Sequence, residues 1–243
     1  APRVQVVPKA EVLQALEEAP VEVMHEEGAS VDIEGRTRRG VKVQDGCDNA
    51  CTYCIVCKAR GASVSRPSDE VVNEVSALVG AGVKEIVLTG INIGAYDQRG
   101  LDLSRLIERV LDEVKCEEEP SFRLRLSSIE PVDITDELID LVARSEGRIC
   151  RHFHIPLQSG SSRILEAMAR NYDAPFFDDL VGRIRARIPN ASITTDIIAG
   201  FPGEQDEDFE ETCLMARRSA FSKMHVFPFS AREGTIAAHL PEQ

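Results

Sequence analysis

No stretch of this 243-residue sequence approaches the roughly 20 consecutive apolar residues that cross a bilayer, and a soluble globular protein is expected. The opening APRVQVVPKAEVLQAL has neither the basic start nor the apolar run of a secretory signal, so the expected compartment is the cytoplasm. Positive charge is also scarce. With 28 Lys and Arg against 41 Asp and Glu, the net charge of −13 argues against this chain by itself gripping nucleic acid tightly, because phosphate contacts need cations. Cysteine is absent before position 47. The seven cysteines are odd in number; four crowd together, while Cys116, Cys150 and Cys213 are scattered. That pattern speaks against a secreted disulfide framework and for reduced thiolates around a metal. What the chain does have is length and 43% hydrophobic residues, enough for one large α/β domain or two small ones.

Residues 1–35 read as a lead-in: a strand-like VQVV, a helical PKAEVLQALEEA and an acidic stretch without clear period, expected to be the tail of a preceding domain. Residues 36–243 are expected to form the core domain. From Arg38 onward, apolar runs of strand length alternate with amphipathic stretches of helix length. The runs are GVKVQ (40–44), KEIVLTG (84–90), FRLRLSS (122–128), RHFHIPL (151–157), SITTDIIAG (192–200) and KMHVFPF (223–229). Ser68 is expected to cap a helix that ends at Gly80 and Gly82. LDLSRLIERVLDEV carries a stripe of Leu103, Leu106, Ile107, Val110, Leu111 and Val114, and Thr135 opens a third helix. PFFDDLVGRIRARI supplies a fourth, and EDFEETCLMARR a fifth with Phe209 and Cys213 on one face. Six β-α repeats with short loops predict an α/β fold with a parallel sheet and right-handed crossovers, open or curled into part of a barrel. In such sheets ligands bind at the carboxyl ends of the strands.

GCDNACTYCIVCKARG (46–61) follows the first strand, at that favoured end, and spaces Cys47, Cys51, Cys54 and Cys57 as C-x3-C-x2-C-x2-C. Four readings compete. Zinc held by four thiolates usually draws on two separated C-x2-C knuckles, and there is no second one. A ferredoxin-like centre would use all four thiolates but normally in another order. A redox pair of Cys54 and Cys57 leaves Cys47 and Cys51 unexplained. The fourth uses Cys47, Cys51 and Cys54 for a four-iron cluster and leaves one iron open. Seven basic residues between Arg36 and Arg66, against Asp45 and Asp48, bracket these cysteines as either a solvated surface or a positive rim for anionic ligands.

The cysteine spacing, together with KARG, SRP, EIVLTGINIGAYD, RLSSIEP, HIPLQSGS, LEAMARNY, DIIAGFPGE and HVFPFSAREGT, resembles the radical S-adenosylmethionine superfamily over nearly all of residues 38–243. Within it the chain looks like the methylthiotransferases, and LTGINIGAY like their MtaB branch, where relatives acting on isopentenyladenosine usually read LGQNVNAY. The resemblance implies a partial (β/α)6 TIM-like barrel of the radical SAM type. It further implies a 4Fe-4S cluster on Cys47, Cys51 and Cys54, and S-adenosylmethionine as both radical source and methyl donor. The implied reaction places a methylthio group at C2 of N6-threonylcarbamoyladenosine beside the tRNA anticodon. Isopentenyladenosine in tRNA, a ribosomal protein, or a noncatalytic iron–sulfur or zinc module are the alternatives. Implied partners are tRNA and an electron donor such as flavodoxin, with no membrane.

By the same resemblance Thr89, Gly90 and Asn92 approach the amino group of S-adenosylmethionine. Ser127, Ser128 and Glu130 end the third strand with polar groups suited to a ligand, and Gln158 and Ser159 follow the fourth. Arg170, with Tyr172, suits the ligand carboxylate. Asp196 lies inside an otherwise apolar strand, where a carboxylate needs a partner. Tyr53 is placed beside the adenine or as packing under the loop, Gly200 and Gly203 allow close backbone approach, and Phe201 and Pro202 flank the adenine. His152 and His154 are read as packing residues. Family members normally have proline where this chain has Cys57. They also carry a preceding domain with a second 4Fe-4S cluster and a following RNA-binding β-barrel, both expected to be absent here, leaving a core that cleaves S-adenosylmethionine without completing the transfer.

Overall fold

A computed structural model of the chain describes residues 37–115 and 122–241. The lead-in, with the strand expected at VQVV and the helix expected at PKAEVLQALEEA, lies outside the described residues, as do Arg36 and Cys116. Six parallel strands run in sequence order: β1 (Arg38–Lys42), β2 (Glu85–Thr89), β3 (Arg123–Leu126), β4 (His152–His154), β5 (Ser192–Ala199) and β6 (Lys223–Pro228). They form two three-stranded sheets, β1-β2-β3 and β4-β5-β6, bridged where Leu124 meets Ile149 and Ser128 meets His154. The alternation of runs predicts a parallel sheet, open or partly closed, and the result is the partial (β/α)6 barrel that the resemblance implies. No helix among the described residues is long and apolar enough to cross a membrane.

Helices α1 (Val56–Arg60), α2 (Ser68–Gly80), α3 (Leu103–Glu113), α4 (Asp136–Arg144), α5 (Ser162–Ala167), α6 (Ala174–Arg187) and α7 (Asp206–Ser219) connect the strands. Side chains alternate along a strand, and in β2 to β5 one face packs on the helices: Ile86, Leu88, Leu124, Leu126, Phe153, Ile193 and Ile197 join one core with the helical stripes, whereas Met224 and Val226 of β6 stay exposed. In α3, Leu103, Leu106, Ile107, Val110 and Leu111 are all buried, at the spacing of one helix face, each worth ~1.5–3 kcal/mol. Asp102, Thr135 and Asp173 cap α3, α4 and α6 by accepting from Arg105 N, Leu138 N and Phe176 N.

One expectation is corrected, and one helix buries a face that the sequence did not single out. Ser68 does not cap α2: it is the first helical residue, its N–H donates to Gln98 Oε1 at 2.9 Å, and its Oγ accepts from Arg109 Nη1 at 2.6 Å. In α7 the face of Phe209 and Cys213 is not the buried one, since Phe209 is 47% exposed. The buried side is Asp208, Thr212, Met215 and Ser219, because this helix docks on a polar turn. Thr212 Oγ1 accepts from Gly160 N, and Asp208 accepts from Ser161 Oγ and Arg163. A Cβ on Gly160 would stand 2.5 Å from Thr212 Cα, so only glycine fits there.

The strand faces turned away from the helices carry many polar groups, with Val87, Ile198 and Phe227 between them. Glu85, almost fully buried, accepts from Arg38 Nε (2.5 Å), Arg123 Nε (2.6 Å) and Arg125 Nε (2.8 Å) at the amino end of the barrel. Hydrogen bonds from Arg125 first and then Arg123 outweigh burial and hold its carboxyl at about 2.

Candidate metal centre and adjoining cleft

The cysteine loop leaves β1 at the carboxyl end and is tied down from several sides. Gln44, 1% exposed, donates through Nε2 to Gly46 O (2.7 Å) and Ser63 Oγ (2.9 Å), and its Oε1 accepts from Ile91 N (3.0 Å) and Asn92 N (2.9 Å). One side chain thus joins the cysteine loop to the loop after β2. Gly46 has φ +74°, and a Cβ there would lie 1.9 Å from Ala62 O. Cys47 N donates to Gly61 O, Thr52 N to Met168 O, and Ala237 N to Thr52 O, fastening the loop to the end of α5 and to the C-terminal turn.

Burial pushes the Cys47 and Cys51 thiols up; Cys51 and Cys54 add to the rise at Cys47, while Arg170 opposes it at Cys51. Three thiols carried on one short loop are the soft donors that an iron–sulfur cluster takes. Among the described residues, a separate set of ligand atoms all within 4.8 Å of one another is formed by His154, Asp196 and His225. Cys57 stands on α1, where its carbonyl accepts from Gly61 N.

Arg170, with 3% of its side chain exposed, is the hub next to the cysteines. It pairs with Glu130, donates from Nη1 to Cys51 Sγ at 3.1 Å and to Tyr53 Oη at 3.4 Å, donates from Nε to Tyr172 Oη at 3.2 Å, and lies over the Tyr172 ring at 5.0 Å. Tyr172 Oη in turn donates toward Pro156 O at 2.8 Å. Burial raises the Glu130 carboxyl, with Arg170 pulling the other way. The Tyr53 hydroxyl is pushed far up, first by burial.

Beside this hub lies a cleft of about 430 Å³ lined by Tyr53, Gln158, Asp196, Ile198, Phe227 and Phe229, among others. Gln158 has φ +62°, rare for a residue with a side chain, and its buried Oε1 has no hydrogen-bond partner. Asn92 is 7% exposed, and its Oδ1 is likewise buried and unpaired. Such orphaned acceptors are rare in finished cores and suit a ligand's donors.

The structure thus brings Cys51, Tyr53, Glu130, Arg170 and Tyr172 into one cluster of contacts, and Tyr53, Gln158 and Asp196 into one cleft. Other residues singled out in the sequence have different surroundings. Thr89 O accepts from Val43 N, and Gly90 presses on Gln44, where a Cβ would lie 2.9 Å from its carbonyl oxygen. Ser128 is exposed, whereas Ser127 Oγ is buried without a partner. Ser159 is fully buried against Thr212 and serves the α7 dock. Gly200 has φ +73°, and its N–H donates to Glu204 Oε2. Phe201 and Pro202 are buried; Phe201 packs edge-on to Phe229 at 5.4 Å in a second apolar cluster that Tyr53 borders. The basic segment is largely neutralised: Lys42 and Arg60 share Asp45, Arg38 reaches Glu85, and Arg66 reaches Glu70 and Glu74. Sequence reasoning missed Gln44 and His225. Parallel register could have found the latter, since it sets His225 opposite Asp196.

Over 208 residues the chain is 44% identical to the threonylcarbamoyladenosine tRNA methylthiotransferase MtaB of Bacillus subtilis, covering 86% of this chain and 46% of that protein. It is 42% identical over 230 residues to the tRNA-2-methylthio-N(6)-dimethylallyladenosine synthase of Bacillus pumilus, covering 93% and 45%. The chain spans about half the length of the curated relatives it matches. Among solved structures it resembles the radical S-adenosylmethionine methyltransferase TsrM of Kitasatospora setae, with cobalamin and a 4Fe-4S cluster bound (TM-score 0.68, 19% identity, 82% of this chain and 38% of that one). It also resembles coproporphyrinogen III oxidase of Escherichia coli (TM-score 0.59, 18% identity, 84% and 46%), and both likenesses concern the fold. The sequence matches the family profile described as Radical SAM superfamily over residues 41–216, most of its length, and the chain belongs to that superfamily.

Proposed function

We propose that residues 36–243 are the radical core of a tRNA methylthiotransferase that acts on N6-threonylcarbamoyladenosine. In this proposal Cys47, Cys51 and Cys54 hold a 4Fe-4S cluster and S-adenosylmethionine binds beside it. When bound and reduced, the cluster supplies the electron that divides S-adenosylmethionine reductively. The observation that carries the reading is Arg170, a buried guanidinium touching at once a cysteine sulfur, a carboxylate and two tyrosines.

The chain's own groups then have separate tasks. Arg170 and Glu130, oppositely charged side by side, suit the carboxylate and ammonium of an amino acid. Asn92 Oδ1 offers a further acceptor to the ammonium. Gln158 and Asp196 present acceptors to the ribose hydroxyls, and Tyr53 walls the base side of the cleft. Gln44 and Gly46 keep the cysteine loop in register with the loop after β2. Phe201 and Pro202 support that wall from behind rather than through exposed faces.

LTGINIGAY (88–96) favours the threonylcarbamoyladenosine substrate. The long match to dimethylallyladenosine synthases keeps isopentenyladenosine as the second reading. The partners proposed are tRNA and a flavodoxin-type electron donor. The test is anaerobic: cluster-loaded protein given dithionite and S-adenosylmethionine should yield 5′-deoxyadenosine. An intact cluster with no 5′-deoxyadenosine contradicts the radical chemistry. With tRNA bearing each modified adenosine, mass spectrometry of the nucleosides decides the substrate.

A further inference from the structure

The strand faces turned away from the helices in β4, β5 and β6 carry a run of polar side chains that the cysteine loop does not use. Parallel register sets His154 opposite Thr194 and His225 opposite Asp196. His154 Nε2 lies 3.1 Å from Asp196 Oδ2, and His225 Nδ1 lies 3.1 Å from Asp196 Oδ1. His154 Nδ1 lies 2.9 Å from Thr194 Oγ1, which in turn is 3.2 Å from His152 Nε2.

One proton arrangement satisfies all four contacts with neutral rings. His154 Nε2–H and His225 Nδ1–H donate to the two carboxylate oxygens, Thr194 Oγ1–H donates to His154 Nδ1, and His152 Nε2–H donates to Thr194 Oγ1. Thr194 thereby fixes the tautomer of His154, and the two rings fix the plane of the carboxylate. Each Asp196 oxygen spends one lone pair on a histidine and keeps another. Asp196 also lines the cleft, next to Gln158 with its strained backbone and unpaired Oε1. This wall of the cleft therefore offers acceptors, and what fits it is a group bearing two neighbouring donors.

We propose that His154 and His225 are positioning residues that lock the Asp196 carboxylate so that its free lone pairs, with Gln158 Oε1, take the two ribose hydroxyls of the bound nucleoside. The proposal rests on the S-adenosylmethionine reading above. It assigns a task to two histidines that pattern alone would leave as packing, one of them on the last barrel strand, some 30 residues after the carboxylate it holds.

The experiment measures the dissociation constant of S-adenosylmethionine, and of an analogue lacking both ribose hydroxyls, on anaerobic cluster-loaded protein. His225→Phe should bind S-adenosylmethionine about fivefold to tenfold more weakly than wild type, the worth of one aligned charge-assisted hydrogen bond, yet bind the analogue as wild type does. His225→Asn, which keeps an N–H where Nδ1 stands, should recover to within about twofold. His154→Gln, which keeps an N–H where Nε2 stands, should behave likewise, and His154→Phe like His225→Phe. His225 is the more exposed of the two, so its variants keep the test open if His154→Phe does not fold.

The proposal is overturned if His225→Phe binds S-adenosylmethionine as tightly as wild type, or if it weakens ligand and analogue equally, which is what lost packing alone would do. It is also overturned if purified wild type carries a zinc beyond its cluster iron that His225→Phe lacks, because the same three ligand atoms could hold an ion. Wild-type protein with a full cluster that binds neither compound overturns the S-adenosylmethionine reading itself, a result distinct from the other three.

Discussion

Arg170 concentrates the most physics in one side chain. Its charge is buried and paired, and the pair is worth more for what its loss would leave behind than for its own attraction. Arg170→Gln strands Glu130, whose carboxyl burial already raises, so we expect a loss of ~3–5 kcal/mol at neutral pH in urea unfolding. The sign follows from linkage. A carboxyl whose folded pKa is raised favours folding in its protonated form, so this deficit should shrink as pH falls through the carboxylate range. A deficit that grows on acidification contradicts the pairing. At Gly46, alanine meets both a positive φ and a carbonyl 1.9 Å from its Cβ. Gly46→Ala should therefore load less than half the iron of wild type, measured per chain after reconstitution, with its melting temperature lowered as well. Residue-scale legibility was uneven. The cysteines could be singled out by their spacing, and Arg170 through the family resemblance. Gln44 could not, because a glutamine becomes a clamp only when two loops distant in sequence meet around it.

At the scale of elements, most strands and helices follow from their patterns, since β2 to β5 and the longer helices bury apolar residues in one core. The six strands fall within a few residues of the runs GVKVQ to KMHVFPF, and Leu103 to Val114 point inward as their spacing requires. The exceptions are places where a helix meets something polar. Pro67 and Gln98 displaced Ser68 as the cap of α2, and the turn at Ser159–Ser161 turned α7 so that Thr212 rather than Phe209 faces in. Gln98 and the turn at Ser159–Ser161 are both distant in sequence from the helices they meet. Leu106→Ala on α3, at a fully buried position, should cost ~2–5 kcal/mol in denaturant unfolding. Glu85 joins β1, β2 and β3 through three arginines, with its carboxyl held at about 2. A depressed carboxyl contributes stability that is present above the ordinary carboxylate range and lost as pH falls toward its folded value. The wild type should thus lose ~2–3 kcal/mol from this group between the ordinary carboxylate range and about pH 2, while Glu85→Gln should show that much less acid dependence. Equal acid sensitivity of the two proteins contradicts the role given to Glu85.

For the whole molecule, a barrel of six parallel strands lines one side with polar groups and gathers its loops at one end. The cysteine loop, the Arg170 hub and the Asp196 cleft all stand toward the carboxyl ends of the strands, where such sheets bind ligands. The fold was legible because alternation of period two and period 3.6 leaves few ways to pack. The site was legible in outline through the cysteines, and opaque in its wiring, since the links from His154 and His225 to Asp196 exist only once three strands lie side by side. The reading as a whole depends on three cysteines, not four, holding the cluster. Electron paramagnetic resonance of the reduced cluster in Cys57→Ala, recorded with and without S-adenosylmethionine, tests this most directly. We predict that the variant assembles a four-iron cluster whose spectrum shifts when S-adenosylmethionine is added. Failure to assemble it, or a spectrum indifferent to the ligand in both variant and wild type, would contradict the account.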